Sequence, residues 1–253
     1  MSSPSTTGQT THSAWAVHVL TGTGAIAGMA GLHSVIQGHA RAAILWLVVA
    51  LVLDGIDGPI ARKLDVRRRV PTLDGNVLDL VIDYVTCTIV PVAFMDQFHV
   101  LPDDVNALMG FVIVVVSALW MARTDQETDD GWFRGFPAEW NMIIPTLYLI
   151  HANEWFSLVV CIVFSALTVL RLQFPHPVSV REQRPISLVF MTLWLGSMTW
   201  LAVAQHPITW LRVVLTVAPL WTVWQTVQRN VQLSGHAAFR GRGRTTVSEN
   251  SPA

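Results

Sequence analysis

Apolar runs of membrane-spanning length recur along this chain, and they limit its fold more than any other feature. A spanning helix needs about 20 mostly apolar residues. Eight runs approach that length: 14–36, 41–62, 74–98, 105–123, 138–152, 154–173, 185–204 and 208–229. The fifth is short and the first is rich in glycine. Inside hydrocarbon every backbone N–H and C=O must be satisfied within the protein, so such runs fold as helices. The expected fold is all-α, a polytopic integral membrane protein with about eight transmembrane helices. Of the 253 residues, 52% are hydrophobic and 13% charged, whereas a soluble domain carries about 25% charged residues. The same figures exclude disorder for most of the chain. Met1–His12 lacks a basic stretch leading into a short apolar core, so no signal peptide is expected.

The basic residues set the expected orientation, because cytoplasmic loops collect Lys and Arg. With the N-terminus inside and the loops alternating, all of the 16 Lys and Arg fall inside except Arg41 and Arg212. The outer loops 99–104, 151–154 and 205–207 carry none. Both termini are therefore expected in the cytoplasm. Residues 1–13 read as a polar segment, 14–230 as a single transmembrane domain, and 231–253 as a disordered cytoplasmic tail. Cys87 and Cys161 lie in apolar runs, without zinc spacing and with no support for a disulfide. No nucleic-acid partner is expected.

Four aspartates break the apolar pattern. Ionisable residues at membrane depth are costly and mark functional sites. The second run ends Asp54-Gly55-Ile56-Asp57-Gly58-Pro59-Ile60-Ala61-Arg62. At helical pitch Asp54, Asp57, Gly58, Ala61 and Arg62 share one face. In the third run Gly75, Asp79 and Asp83 follow at i, i+4 and i+8, again on one face. A short connection makes the two helices antiparallel neighbours, so the four carboxylates converge near the cytoplasmic ends of helices 2 and 3. They cannot all stay ionised there without compensation. Some could be protonated, as in a proton relay, or a hard divalent cation could sit among the oxygens. Solvated helix ends would account for one such aspartate more easily than for four. Gly58 and Gly75 leave room for a phosphate ester to reach the backbone. Arg62 offers a forked donor for phosphate oxygens. Pro59 removes one backbone hydrogen bond inside this helix.

The pattern Asp54-x2-Asp57-Gly58-x2-Ala61-Arg62-x12-Gly75-x3-Asp79-x3-Asp83 resembles the signature of the CDP-alcohol phosphatidyltransferases. Its twelve-residue spacer, longer than the eight of most members, is similar to that of the bacterial branch that forms phosphatidylcholine. Gly135-Phe136-Pro137-Ala138-Glu139-Trp140-Asn141 resembles the same branch. His18 and Thr21 stand where the family often has Asn-x-x-Thr lining the nucleotide site. The resemblance covers most of residues 14–145. It implies that 14–230 is a catalytic domain with its active site on the cytoplasmic side of helices 2 and 3, in a bacterial inner membrane. It implies two divalent ions, Mn2+ or Mg2+, with Asp54 and Asp79 bridging both, Asp57 on one and Asp83 on the other. Asp83 would also be the general base. Gly58, Ala61, Arg62, His18, Thr21 and Thr72 would contact CDP-diacylglycerol. A homodimer is implied as well.

The resemblance implies transfer of phosphatidyl from CDP-diacylglycerol to choline, with release of CMP. A trimethylammonium group donates no hydrogen bond and calls for aromatic rings or a carboxylate. Trp140, Glu139, Trp15 and Phe136 are the candidates for holding it, although Trp residues also gather at membrane interfaces. Serine, glycerol phosphate or inositol are alternative acceptors in the same reaction class. An ion-coupled transporter is a more distant alternative, disfavoured because no second half repeats the carboxylates. Gly24 and Gly28 read as a helix-packing pair.

Overall fold

The computed structural model describes residues 6–177, 179–180, 183–204 and 208–245, with backbone alone for 6–12 and 235–245. Arg181, the loop 205–207 and the tail 246–253 lie outside the described residues. The helices are α1 (Thr6–Ile36), α2 (Ala40–Lys63), α3 (Val66–Arg69), α4 (Gly75–Asp83), α5 (Val90–Gln97), α6 (Asp103–Met121), α7 (Trp140–Leu149), α8 (Glu154–Val169), α9 (Arg184–Val203) and α10 (Thr209–Thr245). A π-helical segment, Tyr84–Ile89, joins α4 to α5 into one rod. Two short strands, β1 (Trp132–Arg134) and β2 (Gln173–Pro175), complete the set.

Each of the eight apolar runs contains a helix, and these helices differ in length and apolar character. Five helices among the described residues are long and apolar enough to cross a membrane: Ser13–Ile36, Ala40–Lys63, Gly75–Gln97, Asp103–Met121 and Arg184–Val203. α7 has only 10 residues. Its start is delayed by Gly135 at φ 93° and Ala138 at φ 59°, and its end is followed by His151 at φ 54°. These left-handed residues turn the chain on both sides of it. α8 has 16 residues because the chain turns extended at Leu170 and enters β2. α10 is long, but Arg212 and its Thr and Trp residues dilute its apolar character. It continues as helix through Thr245, past the point where a disordered tail is expected.

Among the described residues the bundle is all-α apart from one short strand pairing. β1 pairs antiparallel with β2, Phe133 opposite Phe174, and ties the 122–139 loop to the segment after α8. Arg123 and Arg134 bridge to Asp125. The hydrogen bond from Arg123 holds the Asp125 carboxyl below the usual range. Arg229 of α10 pairs with Asp130 and lies 5.0 Å from the Trp132 ring centre. Gly135 cannot be replaced at no cost, since a Cβ there would stand 2.6 Å from the Thr168 carbonyl.

The main core runs through the bundle interior. Ile44 and Leu47 of α2 share one buried cluster with Phe94 and Met95 of α5, Ile144 of α7 and Trp194 of α9. Close approach of α1 to the α4 rod depends on small residues. A Cβ at Gly24 would lie 3.0 Å from Ile82, and one at Gly28 would lie 3.0 Å from Thr86. These two glycines pack helices, as expected. The outward faces are apolar, with Ile26, Phe111, Val213 and Leu220 all more than half exposed. Such faces suit lipid and not water. A second, smaller cluster of Ala14, Val17, Val66 and Val70 docks α3 and its flanking turns on the start of α1. The long spacer between the two halves of the motif is thereby folded onto the bundle.

Candidate active site

The last turns of α2 and the first turns of α4 bring the carboxylates together. α2 continues unbroken through Pro59 to Lys63, so Asp54, Asp57 and Arg62 keep their helical spacing. α4 is started by Asp74, whose Oδ1 accepts from the backbone N–H of Asn76 at 3.0 Å and of Val77 at 3.4 Å. This N-cap satisfies donors that would otherwise be orphaned and fixes where Asp79 begins the next turn. One oxygen from each of Asp54, Asp57 and Asp79 lies within 4.8 Å of the others. Asp57 is buried and Asp79 half-buried, while Asp54 opens outward.

Asp83 is not part of that trio. It closes α4 one turn beyond Asp79, within electrostatic range of Asp54, Asp57, Asp79 and Glu139. Among the described residues no Lys or Arg lies within salt-bridge distance of any of the four. Three uncompensated hard oxygen donors at this spacing are the donor set that a divalent cation satisfies. The residues present therefore fit such an ion.

A cavity of about 420 Å³ adjoins the trio. Asp57 and Asp79 are on its wall, and Gly58, Ala61 and Arg62 of α2 form one side. His18 and Thr21 of α1 form another, facing Gly75. The glycine is needed for this approach, because a Cβ at Gly75 would stand 3.2 Å from the His18 ring. The buried His18 Nε2 has no hydrogen-bond partner within the protein, which suits a polar ligand in this cavity. The Thr21 hydroxyl is within reach of both the Val17 carbonyl, at 3.3 Å, and the Asp57 carboxylate. Arg62 lies over Gly58 and is itself exposed. One cavity thus gathers His18, Thr21, Gly58, Ala61 and Arg62, the residues that the family resemblance points to.

Three expected contacts are not made. Thr72 is exposed and does not line the cavity, because the longer spacer winds into α3 and carries it outward. Trp140 is fully buried, and its indole N–H donates to the Ser117 hydroxyl at 2.9 Å. It is a core residue and offers no face to a ligand. Trp15 is 45% exposed, with its ring 6.2 Å from that of His18, and it does not line the cleft that holds Phe136 and Glu139. Phe136 and Glu139 do line a narrow cleft, separate from the first cavity. Asp65, Asp74 and Asn76 also line the larger cavity without having been singled out in the sequence. The Asp74-Gly75-Asn76 order is an N-cap signal that could have identified the first of these as the helix start.

The model of the family described as CDP-alcohol phosphatidyltransferase matches residues 16–167. The chain belongs to this family. The matched stretch of the phosphatidyltransferase holds all four aspartates and the glycines of the cavity, and it ends within α8. Relatives extend further. The phosphatidylcholine synthase of Pseudomonas aeruginosa is 37% identical over 194 residues, covering 77% of this chain and 81% of that protein. The phosphatidylcholine synthase of Mesorhizobium japonicum is 39% identical over 181 residues, covering 72% and 68%. That of Borreliella burgdorferi is 29% identical over 229 residues, covering 85% and 97%.

Proposed function

We propose that this chain transfers the phosphatidyl group of CDP-diacylglycerol to choline and releases CMP, at the cytoplasmic face of a bacterial inner membrane. The observation that carries the reading is the trio of uncompensated carboxylates beside a cavity walled by His18, Gly58 and Arg62. It stands in a family member similar over most of its length to phosphatidylcholine synthases. Asp54, Asp57 and Asp79, with Asp83, would hold two divalent ions, Mn2+ or Mg2+. When bound, such ions neutralise a pyrophosphate and the charge that grows on its leaving oxygen.

The protein's own groups do the rest. Gly58 and Gly75 let the donor's phosphates approach the backbone, and Arg62 presents its fork to their oxygens. His18 and Thr21 offer polar atoms to the nucleotide. Asp83 accepts the proton of the choline hydroxyl. The hydroxyl oxygen then bonds to the lipid-side phosphorus while the bond from that phosphorus to the CMP oxygen breaks. A homodimer is the expected assembly, by likeness to the family.

The test is CMP release from CDP-diacylglycerol by the purified full-length chain, with labelled choline, serine, glycerol phosphate or inositol offered separately. Label from choline is expected in lipid, abolished by a chelator and restored by Mn2+ or Mg2+. Asp83→Asn is expected to lower turnover by roughly 10²–10⁴-fold with the melting temperature retained. Serine incorporation without choline incorporation overturns the acceptor, and chelator-insensitive release overturns the metal requirement.

A further inference from the structure

The narrow cleft beside Glu139 has no part in the donor site. Five of its walls are Phe136 and Glu139 in the turn before α7, Phe174 of β2, Phe190 of α9 and Trp221 of α10. The rings come in two pairs. Phe136 meets Phe174 edge to face, with centres 5.9 Å apart, and Phe190 meets Trp221 at 5.2 Å. The Trp221 indole N–H donates to Ser187 at 3.3 Å, which fixes the ring. Among the described residues, Glu139 has no Lys or Arg at salt-bridge distance. An unpaired, half-buried carboxylate among aromatic rings is costly unless a cation joins it.

From this arrangement we propose that the cleft is the site for the quaternary ammonium of the acceptor, with Trp221, Phe190, Phe136 and Phe174 around the methyl groups and Glu139 supplying the charge. The inference rests on the reading of choline as acceptor and assigns α9 and α10 a part in choosing it. A quaternary ammonium has no N–H to donate, so ring faces and a carboxylate are the groups that can recognise it. Placement supports the assignment. Glu139 is within electrostatic range of Asp54 and Asp83, so a head held there would lie on the same side of the bundle as the carboxylates. The cleft also lies next to an aqueous opening. Gln225, buried and donating to Gln183 and Ser187, stands between this cleft and an open polar vestibule of about 770 Å³, and Arg62 lines both the vestibule and the donor cavity. A shift of the Gln225 side chain would open the cleft to the aqueous side while the lipid donor occupies its own cavity. The free space in the cleft is small, about 50 Å³. Two of its walls are Met142 and Met191, whose flexible thioethers can shift to admit the head group.

The experiment is steady-state kinetics of the full-length chain in detergent, with choline and CDP-diacylglycerol varied in turn. Trp221→Leu and Glu139→Gln are each expected to raise the choline KM roughly tenfold or more, with the CDP-diacylglycerol KM within about twofold of wild type. Trp221→Phe keeps an aromatic face and is expected to retain most of the choline affinity. Trp210→Leu, on an exposed part of α10, is the control and should leave both constants unchanged. Tetramethylammonium, which has the head but no hydroxyl, should compete with choline in the wild type and lose potency in Glu139→Gln. Unchanged choline KM in Glu139→Gln and in whichever Trp221 variant folds, with a choline-active wild type, overturns the site alone. Equal potency of tetramethylammonium in wild type and Glu139→Gln does the same. A wild type that uses another alcohol and not choline overturns the proposed function, and the site with it.

Discussion

Two indoles deep in the bundle are held by single hydroxyls. Trp140 donates to Ser117 at 2.9 Å, and Trp194 donates to Thr146 at 3.1 Å. Both rings are essentially without exposure. A buried donor left without its acceptor costs about 1–3 kcal/mol. Ser117→Ala is therefore expected to destabilise the protein by about that amount, read as a lower melting temperature in detergent, while Ser117→Thr should hold. An unchanged melting temperature in Ser117→Ala would show that the pair contributes nothing. These pairs were not legible in the sequence. A Trp in an apolar run reads alike whether its ring meets lipid, headgroups or a neighbouring helix, which is why Trp140 looked like a ligand-binding candidate. The aspartates were legible for the opposite reason. A carboxylate in an apolar helix has few bland explanations, and helical spacing alone placed Asp54, Asp57 and Asp79 on facing sides of two helices. Spacing could not show that Asp83 stands outside their close trio.

The cap formed by β1, β2 and the Arg229–Asn230 part of α10 is the element that the sequence concealed most completely. Strands of three residues are too short to show alternation, and the turns at Gly131 and Gly135 signalled only that the helices stop there. Its chemistry can be tested by pH. His176 stacks on Phe133, with ring centres 5.0 Å apart, and burial holds its imidazole below the usual range. A depressed folded value favours the neutral ring in the native state. The stability it brings is complete above the ordinary value of 6.5 and is lost as the pH falls below it. Asp130 is also held low, first by the Thr128 hydroxyl and then by Arg229, so its contribution persists until the pH falls below 3.8. Melting temperatures measured from pH 8 to pH 5 should therefore decline in the wild type. His176→Gln should flatten that decline, and an equal slope in both proteins would exclude His176 as its source.

For the whole molecule, hydropathy was enough to outline the bundle, because lipid leaves the backbone so few choices. It was not enough to count its spans, since α7, α8 and α10 depart from the ideal through left-handed turns, an entry into a strand and polar dilution. The expected orientation makes a direct prediction. In a chain with Cys87 and Cys161 replaced by serine, single cysteines at Arg68 and Glu127 should react with an impermeant thiol reagent only from the cytoplasmic side. Single cysteines at His99 and Asn153 should react only from the opposite side, and the reverse pattern would invert the orientation. The α4 rod adds a consequence of its own. Its π-helical stretch, Tyr84–Ile89, begins directly after Asp83. A wide turn takes up one extra residue, and each residue is worth about 100° of rotation around a helix axis. The two halves of the rod consequently run out of phase. One half can turn Asp79 toward the cavity while the other sets Val90, Phe94 and Met95 into the core, each on a face that an uninterrupted α-helix would not give it.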